Sequence, residues 1–588
     1  MAARALSEIA RDNTSTQAQI AEEGALSPLV AMLGESHTGV AHNMAAGALA
    51  TLAKENAVNQ IMIAEEEGIR PLVHLLRDSK RTAISGENVT KALWHLATLN
   101  DNQAAIARAG GIGPLVLLLS STNPVTQQFA AAALAALARD HPDNQTALAK
   151  GAAIEPLVNL LGADSVETQE HAVRALLCLA SRDGSASCTA VMRRLVAVLD
   201  MRSAAAQLKA TEALAVLAAR SGENRKAITA ADGIPPLVKL LGDGRRVRAG
   251  TPQERAAAVL SELARAGENK LAIVQEGAVV PLVQMLSSDS IAAQTNAAGA
   301  LWHLAALGEN KPAIVKALGI PPLVALLSSV SADAQRFSAG ALWHLASSAD
   351  NKVAAVEAGA IPPLVRVLGS KHPEAREHAA AVLSALARTQ GGNKKAIVRA
   401  GGIGPLALLL SDASRHTRKH AACALWGLAD SPDHAGAIAK SGAIVPLIEL
   451  LLENNTETRG FAAATLSCLC KDESARTEVM QAGGVEPLLA LAQGPATWLR
   501  TQATEMLKLL GVPVDDDPAT YAVDTPGTEG GAGGETALGG SPSSHSVRSP
   551  TLSTRSKHGA SHRPPATPKM TFHFFSFQIH HLTGYTGY

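Results

Sequence analysis

A proline returns along this chain at a spacing in the low forties, and nothing else constrains its fold as tightly. It stands at Pro28, Pro71, Pro114, Pro156, Pro236, Pro281, Pro322, Pro363, Pro405, Pro446 and Pro487, with Arg194 filling the one gap. The successive spacings are 43, 43, 42, 38, 42, 45, 41, 41, 42, 41 and 41. Each proline opens a Leu-Val-like apolar stretch. A fixed period of this length means one supersecondary unit repeated, with each copy burying its apolar face in its neighbours.

One period shows what the unit contains. Residues 296–328 read NAAGALWHLAALGENKPAIVKALGIPPLVALLS. The pattern predicts an Ala/Leu-rich helix from Asn296 to Ala306, a break at Gly308, and a second helix opened by Glu309-Asn310. A third helix follows the Leu318-Gly319 turn and is entered through Pro321-Pro322. Glycine just past a helix end supplies a left-handed stop, and proline in the first turn lacks only an N–H that had no partner. Asn59, Asn102, Asn144, Asn224, Asn269, Asn310, Asn351 and Asn393 recur near the start of the helix after the break, where an asparagine is expected to cap exposed N–H groups.

Three helices per unit, the Gly-x-x-x-Pro entry and the AAxALxxLA helix resemble the armadillo repeat, in the GNKxAIVxAGGIPPLVxLLxS form common in plant and protist proteins. The resemblance covers residues 1–511. It implies an all-α, right-handed α-solenoid of about twelve armadillo repeats. The first repeat is incomplete, because AARALSEIA matches the Ala/Leu-rich helix alone. Residues 181–220 are degenerate, because SRDGSASCTAVMRRL is too short for a full outer helix. The long loop after Leu241, GDGRRVRAGTPQ, carries Arg245, Arg246 and Arg248 and reads as solvated, with contact to an acidic partner as the alternative. Residues 512–588 lose the period and become rich in Gly, Ser, Thr and Pro, as expected of a disordered tail. That tail ends in the aromatic run MTFHFFSFQIHHLTGYTGY, and Ser541, Ser549 and Thr567 within it each precede a proline.

Composition supports this and narrows the function. Hydrophobic residues make up 47% of the 588 but aromatics only 3%, so the core is aliphatic, as suits closely stacked helices. Lys+Arg and Asp+Glu both number 52, which gives no drive toward nucleic acid or anionic membrane. No apolar run approaches the length of a membrane span, and MAARALSEIA has no signal-peptide layout. Cys178, Cys188, Cys423, Cys468 and Cys470 form no CxxC pair, as in a reducing cytoplasmic compartment, with the nucleus also open. No P-loop, GxSxG or HExxH is present. The chain is expected to be no enzyme, to need no cofactor and to hold no metal.

What remains is a surface. Placed at 100° steps, Ala297, Ala298, Ala300, Leu301, Leu304 and Ala305 make the core side of their helix. His303, Gly299, Asn296 and Ala292 lie opposite, with Trp302 on the flank. Stacked units put these helices along the concave side and leave one long groove. The residues expected to bind a partner there are Trp302, His303, Trp343 and His344, with Asn296 and Phe337 a turn or two earlier and Trp94, His95 and Trp426 at equivalent positions. Flat, partly polar side chains of this kind suit binding hot spots.

By resemblance to armadillo proteins, the groove holds an extended peptide segment of another protein. Importin-α-like proteins carry Trp at the position of Gly299 and Asn at that of His303, a ladder this sequence lacks. The strongly basic groove of β-catenin-like proteins is matched only in part, since Lys91, Arg174, Lys209 and Arg255 are mixed with Glu212 and Glu262. The reading is therefore a monomeric, non-catalytic interaction scaffold that engages protein and neither nucleic acid nor the membrane interior. The alternative is the substrate-recognition part of a U-box-type ubiquitin ligase, whose ligase module is not in this sequence.

Overall fold

The computed structural model describes residues 1–513, apart from 35–36, 79–85, 183, 245–246, 390–391 and 495–496. Arg245, Arg246 and the tail from residue 514 thus lie outside the described residues. Those described form 36 α-helices and three short 3-10 turns, with no strand among them.

The unit observed is close to the one read from sequence. An inner helix, Ile291–Ala305, starts where the Ser290 hydroxyl accepts the Ala293 N–H at 3.1 Å. A 3-10 turn (Gly308–Asn310) and Lys311–Lys316 make the first outer helix, and Ile320–Leu326 the second. The next inner helix, Ala332–Leu345, is capped in the same way by Ser331. Pro321 and Pro322 occupy the second and third helical positions, where the backbone N–H groups have no intrahelical acceptor.

The stop before the second outer helix differs from expectation. Leu318 itself adopts the left-handed conformation, with φ of +59°, and Gly319 does not. Gly319 is needed for space, since a Cβ there would meet the Ile314 carbonyl oxygen at 3.0 Å and its Cγ2 at 2.9 Å. Two different demands, one on φ and one on volume, explain why paired glycines recur at this point.

Consecutive inner helices pack along their length, while the outer helices of neighbouring units meet more sparsely. The row of inner helices therefore lines the concave side of a right-handed α-solenoid. Ala297, Ala298, Ala300, Leu301, Leu304 and Ala305 are all fully buried, so the predicted core stripe is the packed one. Alanine at four of these six positions lets the helices approach closely. Each buried Leu contributes roughly 1.5–3 kcal/mol.

The asparagine row works differently from the predicted cap. The cap before Asn59 is Asn56, and the cap before Asn224 is Ser221. Most of the repeated asparagines instead donate their amide to the end of the preceding inner helix, while Asn102 donates to the Gln60 carbonyl and Asn393 to the Thr389 hydroxyl. Asn59 reaches the Leu52 carbonyl at 2.9 Å, Asn144 that of Leu137 at 2.9 Å, Asn224 that of Leu217 at 3.0 Å and Asn351 that of Leu345 at 2.9 Å. Asn310 Nδ2 bonds both the Leu304 carbonyl (3.2 Å) and the Lys270 carbonyl of the preceding unit (3.1 Å). The last carbonyls of a helix have no intrahelical donor, and a buried amide supplies one. Capping by acceptance was the wrong half of the hydrogen-bonding repertoire for these residues.

Between the inner helices Val166–Leu179 and Ala204–Arg220 a single helix, Ala186–Val198, stands in place of two outer ones. Its Cys188 thiol donates to Asn224 Oδ1 at 3.3 Å. The helix Ala2–Ile9 packs as an inner helix against Gly39–Ala53, with the Ser7 and Thr51 hydroxyls 2.9 Å apart.

Candidate binding groove

The inner helices bring one position of each unit against another position of the next. Trp94, Trp302, Trp343 and Trp426 share one register. Phe129, His171, Asn296, Phe337, His378, His420 and Phe461 share a second, six residues earlier in their own helices. Each tryptophan meets the second-register residue one unit on: Trp94 and Phe129 at 5.6 Å between ring centroids, Trp302 and Phe337 at 5.5 Å, Trp343 and His378 at 5.5 Å, Trp426 and Phe461 at 5.7 Å. Three of them also meet the residue two units on, edge to face: Trp94 and His171 at 5.6 Å, Trp302 and His378 at 5.2 Å, Trp343 and His420 at 6.2 Å. The aromatic column is thus a ladder of cross-unit contacts, in geometries aromatic pairs favour.

Trp94, Trp302 and Trp343 are half-buried, and Trp426 is 37% exposed. The histidines that follow the first three stack on them, with His95, His303 and His344 at 4.4, 4.6 and 4.8 Å. His95 is buried, with 5% exposure, whereas His303 and His344 keep part of their surface open. Asn296 turns back into the array, its amide donating to the Glu254 carbonyl at 3.2 Å. Of the nine residues expected to bind, the structure gathers Trp302, His303, Trp343, His344 and Phe337 on adjoining helices. Trp94 with His95, and Trp426, stand apart in other units.

Gly299 does not lie on the open face. It is buried, because the Ser261 hydroxyl and the Phe337 ring of the flanking units close over it. Gly340 is covered in the same way by Trp302. The indole one unit back therefore fills the place where an importin-α-like ladder would carry its own tryptophan. A wheel drawn for a single helix cannot see a lid supplied by the next.

Charge around the ladder is largely self-neutralised. Arg336 lies 4.1 Å from the Phe337 ring and bridges Asp333 at 2.9 Å and Glu374 at 2.7 Å. Glu212 is 3.3 Å from Lys209 and 3.8 Å from Arg255, and Glu262 is 3.2 Å from Arg265 and 3.8 Å from Arg225. The mixed signs read from the sequence in this stretch are ion pairs within the protein. Burial drives the imidazoles of His95, His303, His344 and His420 down to about 4, aided by nearby cations such as Lys91, Arg265, Lys311 and Lys419. His378 is lowered by the same cause. At neutral pH the ladder is an uncharged, flat-sided strip.

His420, Phe129, His171, Phe461, the buried His378 beneath them and Arg336 belong to this ladder and were not among the residues expected there. The signal for all but Arg336 was the shared register with Asn296 and Phe337, which becomes visible once the units are aligned.

The family model for the plant U-box protein ARM repeat region matches residues 188–459. No curated protein matches the chain. Among solved structures, an engineered protein from the Northeast Structural Genomics Consortium is 31% identical, covering 75% of this chain and 98% of its own, with a TM-score of 0.49. A second engineered protein from that consortium is 32% identical over 39% and 95%, with a TM-score of 0.35. Computationally designed armadillo repeat proteins for modular peptide recognition are 25% identical over 39% and 98%, with a TM-score of 0.36. Units of one three-helix geometry continue on both sides of the segment matched by the family model. The chain belongs to the armadillo-repeat family.

Proposed function

We propose that this protein is a non-catalytic interaction scaffold whose concave groove takes an extended segment of a partner protein. The observation that carries the reading is the ladder Trp302, Phe337, Trp343, His378 and His420. These rings are fixed by one another across several units, yet those with Trp302 and Trp343 keep part of their faces open to the groove. Rigid aromatic side chains bind at low entropic cost and dominate interfaces.

The test is affinity capture with the full chain and with Trp302→Ala and Trp343→Ala. Loss of the captured proteins in both folded variants supports the reading. Equal capture by all three chains, or none by the parent chain, refutes it.

The match to the U-box ARM region favours a second reading, in which the same groove selects substrates for a ubiquitin ligase. Captured proteins would then be ubiquitinated when the array is joined to a ligase module and spared when Trp302 and Trp343 are truncated.

A further inference from the structure

Where the inner helices Ala2–Ile9, Gly39–Ala53 and Gly86–Leu96 meet, the groove deepens into a cavity of about 510 Å³. Its walls carry Arg4, Arg11, Lys54 and Lys91, with Asp12 the one carboxylate among the lining residues. Lys54 Nζ lies 2.5 Å from Asp12, and Arg11 pairs at 2.8 Å with Glu8 from outside the lining. Arg4 and Lys91 have no carboxylate partner among the described residues; Lys91 instead sits 5.6 Å from the Phe129 ring. Four cations face one carboxylate in the lining, with Glu8 beside Arg11 and Glu55 acting on Lys54 from outside it, so the concavity stays net positive at Arg4 and Lys91. Elsewhere along this groove, at Glu212, Glu262 and Arg336, opposite charges are already matched within the protein.

The local field is felt by its neighbours. The hydrogen bond from Lys54, with the charges of Lys54, Arg11 and Lys91, holds the Asp12 carboxyl below its ordinary range. His95, at the edge of the aromatic ladder, is driven down mainly by burial and further by Lys91 and Lys54. Neutral polar groups line the same space and bond within the protein: the Thr51 hydroxyl donates to the Gly47 carbonyl at 3.1 Å and lies 2.9 Å from the Ser7 hydroxyl, and the Asn88 amide donates to the Asn43 carbonyl and side-chain oxygen at 3.2 and 3.0 Å.

We propose that this cavity receives a phosphorylated serine or threonine of the segment bound in the groove. The inference rests on the groove reading above and adds the chemistry of one side chain. A phosphoryl group carries a charge of about −1.5 to −2 at neutral pH and three acceptor oxygens. Its charge and its three oxygens can answer Arg4 and Lys91 together, where a single carboxylate carries less charge and fewer acceptors. Arginine and lysine on separate helices can bond different oxygens at once. Lys91 lies one helical turn before Trp94, so the anion and an adjoining apolar residue of the guest would be read side by side.

The experiment uses the full chain and three oriented peptide libraries with degenerate flanks around a fixed phosphoserine, serine or glutamate. The phosphoserine library should be retained at least about tenfold over the serine library, since one charge-assisted hydrogen bond is worth roughly a factor of ten in affinity. That preference should vanish in Arg4→Gln/Lys91→Gln and persist in Lys91→Arg. It should also persist in Trp302→Ala/Trp343→Ala, where total capture falls.

Equal retention of phosphoserine and serine, glutamate matching phosphoserine, or an unchanged preference in the double glutamine variant would each overturn the proposal. So would displacement of the phosphopeptides by an equal concentration of single-stranded RNA. If phosphate preference fails while capture of the serine library still needs Trp302 and Trp343, the anion site falls and the groove reading stands. If no library is retained, both fall.

Discussion

Trp302 of one unit lies directly over Gly340 of the next: a Cβ on Gly340 would come within 2.6 Å of the indole nitrogen. The absence of a side chain at residue 340 is therefore what lets the indole 38 positions earlier sit against Phe337 and, edge to face, against His378. Gly340→Ala should push that ring out of its seat. We expect a loss of about 1–3 kcal/mol, the usual cost of overpacking, together with red-shifted tryptophan emission. Gly299→Ala should cost less, because its nearest obstacle is the Ser261 hydroxyl at 2.8 Å, which can rotate away. Denaturant midpoints of the two variants give the comparison.

Truncating Trp302 should reveal both roles of its ring, which packs on Phe337 and His378 and still presents surface to the groove. Trp302→Ala should lose roughly 2–3 kcal/mol of local stability and about 2 kcal/mol of partner affinity. Long repeat arrays need not unfold as one unit, so hydrogen exchange is the better gauge. Protection should fall in Ala332–Leu345 and Pro373–Ala387 and hold in helices several units away.

The asparagine row predicts an asymmetry between two small substitutions. Asn310 is fully buried and its amide serves two carbonyls. Asn310→Ala takes one donor from each carbonyl and leaves a gap in the core, and should cost about 1–3 kcal/mol. Asn310→Asp keeps the shape but turns a carboxylate toward two carbonyl oxygens, so it should cost more at neutral pH than alanine does. Part of that difference should be recovered as the medium is acidified and the carboxyl gains a proton. Thermal or urea unfolding of both variants at pH 5 and pH 7.5 decides it.

Acid should weaken the array before carboxylates begin to titrate. The imidazoles of His303, His344 and His420 ionise at about 4 in the folded chain, against roughly 6.5 in an unfolded one. Between those values the unfolded state holds more protons, so stability rises with pH across the window and is lost as pH falls through it. Below about 4 both states are charged and this contribution stops changing. Arg265, Lys270, Lys311, Arg336 and Lys419 share the sign of the added proton and oppose it, while Glu457 beside His420 acts weakly the other way. Urea midpoints should decline from pH 7 to pH 5, and less steeply in His344→Gln.

Much of the fold was legible because periodicity within a helix and between units are both properties of the sequence alone. The prolines located the second outer helix of most units, and Ala297, Leu301 and Leu304 identified the buried stripe. The surface was read less well, for one physical reason. Helical geometry describes a helix facing an unspecified neighbour, and here that neighbour comes from a unit some 35–40 residues away. Gly299 looks open because nothing in its own helix covers it. His378 and His420 give no local signal because no tryptophan stands beside them in sequence, although Trp343 meets both in space. The asparagines read as acceptors for want of the carbonyls that end the inner helix before them. These errors concerned interactions between helices; the one local miss was the left-handed stop, which falls on Leu318 and not on Gly319.

The Asn310 amide also decides where such an array can be cut and joined. A fragment excised from Gly308 onward carries an asparagine stripped of both acceptors, whereas one excised from Ser290 onward retains the Leu304 carbonyl and stays bonded at its leading edge. The natural segment for grafting or deletion therefore starts with an inner helix and closes with the proline-entered one. It is offset by one helix from a segment that opens on the outer pair, and shuffling experiments that respect the offset should give folded chimaeras where those that ignore it give frayed ends.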